Sequence, residues 1–258
     1  MAFFEMNYQS DALRMGVTVN VILPEGAKHG ERYRTLYLLH GLSDDHTTWM
    51  RRTSIERYAG EYNIAVVMPG VGRSWYTDTA TGARYLTFVA EELPNVCRGF
   101  FGGMSHRRED TWIAGLSMGG YGAIKAALTY PDRFGGAASL SGTLDIADAN
   151  RRRPMDEWRG IFGFDMENQG ELKGTHHDLF TLAQDLYNEK KAFPGIYLWC
   201  GEQDGGHIYS ERFSALLNEM AVPHLYESSA GDHSWGYWDI YIQNALRYLS
   251  EQLPMAAQ

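Results

Sequence analysis

Short apolar runs alternate with longer segments of helical periodicity along most of the chain. The runs predict β-strands over residues 17–23, 36–39, 64–68, 112–116, 136–140, 196–200 and 224–227. Most of these runs are apolar on both faces, and such strands need helices over both faces of their sheet. The pattern therefore favours a mostly parallel central sheet.

Helical periodicity fills the intervals between the strands. The predicted helices cover residues 54–62, 85–96, 118–129, 179–189, 209–220 and 237–252. Strands and helices in alternation imply right-handed crossovers, which predict a three-layer α/β sandwich. In such a fold a ligand site lies at the carboxyl ends of the strands.

One interval breaks the alternation. Between residues 142 and 177 the sequence is polar and rich in glycine, and only residues 156–162 have a helical pattern. We expect this interval to form a lid-like insertion over the site. Because no repeat, low-complexity tract or linker divides the chain, residues 1–258 are predicted to form one domain.

Composition and charge exclude several classes of function. The formal net charge of −9 argues against nucleic-acid binding, which requires Lys and Arg concentrated on one face. No apolar stretch has the length of a membrane span, and the first residues lack the basic leader and apolar run of a signal peptide. Two cysteines, Cys97 and Cys200, are too few for a disulfide framework and are expected to be buried thiols in a cytoplasmic protein.

The strongest chemical motif is the segment Gly115-Leu116-Ser117-Met118-Gly119, between a predicted strand and a predicted helix. A serine at such a sharp turn has a strained backbone that exposes its hydroxyl, and the flanking glycines let neighbouring backbones approach. The helix N-terminus behind the serine favours the negative charge that forms when the hydroxyl attacks a carbonyl. Ser117 is therefore the predicted nucleophile.

A serine hydroxyl is a weak nucleophile and needs a histidine base and an orienting carboxylate, in the chain order Ser, Asp or Glu, His. Asp204 lies in the loop after the strand at 196–200, and His233 lies in the loop before the last helix. Glu202 shares the first loop but is closer to the strand end, and Asp232 is expected to be a surface residue. The predicted triad is Ser117, His233 and Asp204, with His233 as general base.

A metal site is the alternative use of the histidines. The segment His176-His177-Asp178 could bind a metal, but it lacks the spacing of known zinc motifs and resembles exposed imidazoles before a helix N-cap. We predict neither a metal nor another cofactor.

The loop after the strand at 36–39 is expected to complete the oxyanion hole. In the segment Leu38-Leu39-His40-Gly41-Leu42, the N–H of Leu42 would join the N–H of Met118, while His40 packs or hydrogen-bonds beneath the site. Core packing and substrate contact are equally open interpretations for the nearby aromatic residues. The predicted substrate-binding residues are Gly41, Trp75, Tyr76 and Trp235.

With these residues located, the chain resembles the esterase D-like branch of the α/β hydrolases, and within it the small bacterial tributyrin esterases. The resemblance spans almost the full length and is carried by residues 38–49, 69–78, 91–94, 115–122, 130–134 and 231–235. It implies an α/β-hydrolase fold, hydrolysis of short-chain acyl esters in the cytoplasm, and a homo-oligomer. It also implies that Ser117, Asp204 and His233 match the triad positions of that family.

We therefore expect a serine carboxylesterase that acts on a small ester through an acyl-enzyme intermediate. S-formylglutathione hydrolases and feruloyl or acetyl-sugar esterases of the same branch are the alternatives. The motif here reads Gly-Leu-Ser-Met-Gly-Gly-Tyr-Gly, whereas formylglutathione hydrolases usually resemble Gly-His-Ser-Met-Gly-Gly-His-Gly. An alternative from another class is a catalytically silent hydrolase fold used for binding, which normally lacks a triad member.

Overall fold

The computed structural model describes residues 1–25, 32–152, 156–163 and 172–252. Its strands are β1 (Ala2–Ser10), β2 (Met15–Leu23), β3 (Thr35–Leu39), β4 (Ala65–Pro69), β5 (Thr111–Leu116), β6 (Gly136–Leu140), β7 (Gly195–Gly201) and β8 (His224–Ser229). Its helices are α1 (Thr48–Arg52), α2 (Ile55–Tyr62), α3 (Tyr85–Thr87), α4 (Leu93–Phe100), α5 (Met118–Thr129), α6 (Ile146–Arg152), α7 (Trp158–Phe162), α8 (Leu179–Asn188), α9 (His207–Glu219) and α10 (Trp235–Gln252).

The strands form one sheet in the order β1-β2-β4-β3-β5-β6-β7-β8. β1 and β2 form an antiparallel pair at one edge, and β2 is antiparallel to β4. From β4 onward in this order, each strand is parallel to the next. The carboxyl ends of β3, β5, β6, β7 and β8 therefore meet at the same edge of the sheet.

Buried side chains cover both faces of the sheet. In β3, Leu36 and Leu38 belong to a core shared with α1, α2 and α10, whereas Tyr37 and Leu39 belong to the core shared with α4, α5, α8 and α9. Successive side chains of a strand point to opposite faces, so strands that are apolar at every position fill two cores. The predicted three-layer α/β sandwich is confirmed.

Every strand predicted from the apolar runs is present, but three elements were not predicted. β1 is an edge strand with several exposed side chains, so it lacks the continuous apolar run of a central strand. α1 and α6 are short, with five and seven residues, and too brief to show a helical period. The helix predicted over 85–96 is α3, a π-helical turn at Phe88–Glu92, and α4 in succession.

The interval 142–177 is described in part. It contains α6 and α7, and α7 corresponds to the helix predicted over 156–162. Residues 153–155 and 164–171 of this interval lie outside the described residues. Trp158 of α7 is buried and packs edge to face on Trp75, with ring centroids 5.0 Å apart. The role of a lid over the site, and the assignment of the chain to one domain, stay predictions.

Both cysteines are free and buried, as expected from their number. Cys97 lies in α4 and Cys200 lies in β7. Among the described residues, no helix combines the length and apolarity needed to cross a membrane.

Candidate active site

Ser117 occupies the sharp turn between β5 and α5. Its backbone is left-handed, with φ 51° and ψ −116°, a conformation that costs a non-glycine residue about 1–3 kcal/mol. A Cβ atom at Gly115 would lie 2.4 Å from the carbonyl oxygen of Gly119, and one at Gly119 would lie 2.5 Å from that of Leu39. Glycine is therefore required at both positions, because the turn brings its own backbone and the end of β3 into contact.

The structure brings the three predicted triad residues together. Nε2 of His233 lies 3.0 Å from Oγ of Ser117, and Nδ1 of His233 lies 2.7 Å from Oδ2 of Asp204. Asp204 follows β7 and His233 follows β8, so the parallel strands β5, β7 and β8 bring the three side chains to one edge of the sheet. The His233 side chain is 46% exposed and that of Asp204 is 3% exposed, so a ligand can reach the imidazole while the carboxylate is shielded.

The Asp204 carboxylate is held as an anion by its hydrogen-bond partners. Burial alone would raise the pKa of Asp204, but the hydrogen bond and charge of His233, the N–H of Gly206 and the hydroxyl of Ser141 together lower that pKa. The Gly206 N–H donates to Oδ1 at 2.8 Å, which leaves Oδ2 for His233. An ionised, fixed acceptor on Nδ1 keeps the Nε2 atom of a neutral imidazole free to accept the Ser117 proton.

The rival acids and histidines lie elsewhere. Glu202 and Asp232 are exposed. His207 hydrogen-bonds to Ser228 at 2.8 Å, and His177 is buried against Lys125. Among the described residues, no group of three or more His, Cys, Asp or Glu side chains is arranged to hold a metal.

The loop after β3 packs directly on the nucleophile turn. A Cβ atom at Gly41 would lie 2.5 Å from Cδ1 of Leu116, so a larger residue here would have to displace the Leu116 side chain. Met118 is the first residue of α5, and its N–H therefore has no acceptor within the helix. The contact places the segment that carries Leu42 beside the turn, and the oxyanion role of the Leu42 and Met118 amides stays a prediction.

His40 fixes the shape of this loop. Nδ1 of His40 contacts the Gly41 carbonyl at 2.8 Å, and the Val71 N–H donates to Nε2 at 3.1 Å. Burial lowers the pKa of His40 and favours the neutral ring, in which Nδ1–H is the donor and Nε2 the acceptor. Since a trans peptide is planar, a fixed Gly41 carbonyl turns the Leu42 N–H in the opposite direction.

The aromatic residues predicted to bind substrate are packed among other rings. Tyr76 is fully buried, its hydroxyl donates to the His40 carbonyl at 2.9 Å, and its backbone φ is 48°. Trp75 is 3% exposed and contacts the Tyr121 ring on α5 at 5.9 Å. Trp235 is half-buried and packs edge to face on Trp49 at 5.0 Å. These positions favour core packing for Tyr76, and substrate contact by these residues stays a prediction.

Sequence reasoning missed a buried lysine in α5. Nζ of Lys125 donates to Oγ1 of Thr77 at 2.7 Å and contacts Nδ1 of His177 at 3.1 Å. Burial lowers the pKa of Lys125 to about 7 and that of His177 to about 2. The available signal was a single charge within the otherwise apolar helix α5.

Ser141 was also missed, and Trp238 was not among the predicted site residues. Ser141 follows β6, is buried, and accepts a hydrogen bond from Nε1 of Trp238 at 3.1 Å. The Trp238 ring lies 4.9 Å from the His233 ring. A lone serine after a strand carries no distinctive sequence signal, because its contacts depend on which elements pack against it in the folded protein.

Comparison with known proteins connects this geometry to a family. The Esterase family model matches residues 10–249. The acetyl esterase of Caldicellulosiruptor saccharolyticus is 32% identical, over 97% of this chain and 99% of its own length. The alignment covers nearly the whole of both chains, so the similarity is not confined to the nucleophile motif.

Solved structures of two serine hydrolases are similar to this chain over most of its length. Substrate-bound FphF, a fluorophosphonate-binding serine hydrolase of Staphylococcus aureus, is 37% identical with a TM-score of 0.89, over 96% of this chain and 98% of that one. The S-formylglutathione hydrolase FrmB of S. aureus, an apoenzyme, is 37% identical with a TM-score of 0.86, over the same shares of the two chains. The chain described here therefore belongs to the Esterase family and is a carboxylic ester hydrolase with the α/β-hydrolase fold.

Proposed function

We propose that this enzyme is a serine carboxylesterase that hydrolyses short-chain acyl esters through Ser117, His233 and Asp204. One observation carries the proposal: the His233 ring lies between the other two side chains, 3.0 Å from the serine oxygen and 2.7 Å from the carboxylate. Both distances are within hydrogen-bond reach for nucleophile activation and for orientation of the base.

In the acylation step, Nε2 of His233 takes the Ser117 proton as Oγ attacks the ester carbonyl carbon. Negative charge develops on the carbonyl oxygen, which accepts hydrogen bonds from the N–H groups of Leu42 and Met118 at the N-terminus of α5. Asp204 stabilises the imidazolium. The imidazolium then gives its proton to the leaving alkoxide, so that an alcohol departs and an acyl-enzyme remains.

In the deacylation step, His233 takes a proton from water and the resulting hydroxide attacks the acyl carbon. Collapse of the second tetrahedral intermediate returns the proton to Ser117 and releases the carboxylic acid. Because neutral His233 is needed in both steps, the rate should fall as the medium becomes acidic. A rate that does not change between neutral and acidic conditions would contradict the assignment of the base.

Two observations support short acyl groups. Trp75 packs edge to face on Tyr121 of α5 and on Trp158, and all three rings are buried, so an acyl pocket on this side of α5 would be short. The relative from C. saccharolyticus is an acetyl esterase, and it covers nearly the whole chain. The narrower resemblance to tributyrin esterases, and a homo-oligomeric state in the cytoplasm, remain part of the proposal.

Hydrolysis of S-formylglutathione is the second candidate. It is favoured by the 37% identity to an S-formylglutathione hydrolase of S. aureus. The same step would then expel a thiolate in place of an alkoxide. The motif around Ser117 has Leu116 and Tyr121 where formylglutathione hydrolases usually have histidines, and this difference favours the oxygen ester.

A kinetic survey separates these functions. The variables are acyl length, in p-nitrophenyl acetate, butyrate and octanoate, and leaving group, in acetyl-sugar, feruloyl and S-formylglutathione substrates. We expect the largest kcat/KM for the acetyl and butyryl esters and none above background for Ser117→Ala. A kcat/KM for S-formylglutathione that exceeds the others would favour the second candidate. Turnover of no substrate, without labelling by a fluorophosphonate, would favour a silent binding fold.

A further inference from the structure

Ser141 lies where β6 ends, on the floor of the candidate active site. It is 1% exposed, and its backbone is left-handed with φ 52°. Its N–H donates to the carbonyl of Trp199 in β7 at 2.7 Å, which fixes the residue between the two strands. Strain of this kind in a buried non-glycine residue is typical of functional sites.

The Ser141 hydroxyl links an indole to the acid. Oγ accepts the Nε1–H of Trp238 at 3.1 Å in a buried contact. With that lone pair in use, the single O–H proton remains for donation, and the hydroxyl is close enough to the Asp204 carboxylate to lower its pKa. The resulting chain runs from Trp238 through Ser141 to Asp204 and on to His233.

Trp238 also contacts the other end of this chain. Its ring is perpendicular to the His233 imidazole, at 89°, with the centroids 4.9 Å apart. Trp238 itself is braced by Trp235, whose ring lies 5.3 Å away, also edge to face. Trp238 on α10 therefore restricts the orientation of the His233 imidazole by ring packing and that of the Asp204 carboxylate through Ser141.

We propose that Ser141 and Trp238 are positioning residues that hold the Asp204–His233 pair in the geometry needed to activate Ser117. Neither residue touches the reacting atoms, so they act through the pair. This inference rests on the proposed function, because it assigns these residues a part in the same hydrolysis.

The network predicts a direction for the pH profile. A hydroxyl that donates to the carboxylate spreads its negative charge, so removal of the hydroxyl concentrates that charge beside the imidazole. A more concentrated negative charge stabilises the imidazolium, because opposite charges at this distance favour the charged form. The acid limb of the kcat/KM profile should then move to higher pH.

Two variants at one position separate the hydroxyl from the backbone. Ser141→Gly and Ser141→Ala both remove the hydroxyl, but only glycine adopts φ 52° without strain. We expect both variants to lower kcat about tenfold to a hundredfold, the cost of one hydrogen bond to a charged group, with KM changed less than about twofold. Thermal melting should show Ser141→Gly to be the more stable of the two.

Trp238→Phe keeps the ring and removes the indole donor, and it should lower kcat by a smaller factor than Ser141→Gly. The double variant with Ser141→Gly and Trp238→Phe should have a kcat only slightly below that of Ser141→Gly alone, since both changes break the same chain of contacts. Trp112→Phe is the matched control, because it removes an indole hydrogen bond, 2.9 Å to the Glu109 carbonyl, at the start of β5. This control should retain wild-type kcat and pH profile.

The inference is overturned if Ser141→Gly has wild-type kcat and an unshifted acid limb while the wild type is active. It is also overturned if activity is lost in Ser141→Ala but kept in Ser141→Gly, because the loss would then follow backbone strain. Failure of the wild type to hydrolyse esters or react with a fluorophosphonate would instead contradict the proposed function.

Discussion

Asp204→Asn changes one atom at the centre of the proposed mechanism. The amide oxygen can still accept the Gly206 N–H, which lies 2.8 Å from Oδ1. The amide NH2 then faces Nδ1 of His233 in place of Oδ2, at the 2.7 Å position. Two donors cannot share a hydrogen, so the imidazole must carry its proton on Nε2.

That tautomer disables the base. Nε2 faces Oγ of Ser117 at 3.0 Å, and an Nε2–H group there cannot accept the serine proton. A wrong tautomer of this kind costs a serine protease about 10⁴-fold in kcat. We expect kcat to fall by about 10³-fold to 10⁴-fold, or ~4–5.5 kcal/mol in activation free energy, with little change in KM. The fold should lose only about 1–2 kcal/mol, because the asparagine fills the same volume.

The assay is steady-state hydrolysis of p-nitrophenyl acetate at pH 7.5, with thermal melting to show that each variant is folded. Glu202→Gln and Asp232→Asn are matched controls, since they make the same chemical change at exposed positions close in sequence to Asp204 and His233. Both should retain wild-type kcat. A folded Asp204→Asn that keeps more than a tenth of wild-type kcat would refute the role of Asp204, as would an equal loss in Glu202→Gln.

Three further predictions concern stability and the loop after β3. Ser117→Gly should be about 1 kcal/mol more stable than Ser117→Ala in denaturant unfolding, because φ is 51°; equal stabilities would argue against strain at the turn. His40→Ala leaves the Gly41 carbonyl and the Val71 N–H without their hydrogen-bond partner. The free energy of unfolding should therefore fall by about 2–5 kcal/mol, and kcat of the folded enzyme should fall about a hundredfold. A wild-type kcat would contradict the positioning of Leu42 by His40. For Lys125, burial lowers the pKa to about 7, so between pH 7 and 10 the unfolded chain binds the extra proton. As the pH increases over this range, the free energy of unfolding of the wild type should therefore rise relative to that of Lys125→Met, by up to ~1.4 kcal/mol per pH unit. Parallel plots of unfolding free energy against pH for the two proteins would contradict the lowered pKa.

The sequence was most informative where local chemistry and local shape coincide. The segment from Gly115 to Gly119 predicts a strand, a turn and a helix within five residues, and a Cβ atom at either glycine would lie 2.4 or 2.5 Å from a backbone oxygen. Asp204 and His233 could be predicted because each follows a recognisable strand. The order of strands in the sheet could not be read in this way, because β3 lies between β4 and β5 through contacts distant in sequence.

Residues that act through tertiary contacts were the hardest to find. Ser141 gains its partners only when β6, β7 and α10 come together, and nothing in its own segment marks it. Tyr76 is predicted from its neighbourhood to bind substrate, but its backbone φ of 48° and its hydrogen bond to the His40 carbonyl could not be predicted from its own segment. Backbone conformations of that kind depend on the surrounding structure and not on residue type.

The assignment of Ser117 as nucleophile can be tested by finding the residue that a fluorophosphonate modifies. The enzyme would be treated with a fluorophosphonate, digested, and analysed by mass spectrometry for the phosphonylated residue. We predict one adduct per chain on Ser117, none on Ser117→Ala, and much slower labelling of His233→Ala. An adduct on another residue, or equal labelling of Ser117→Ala, would contradict the assignment.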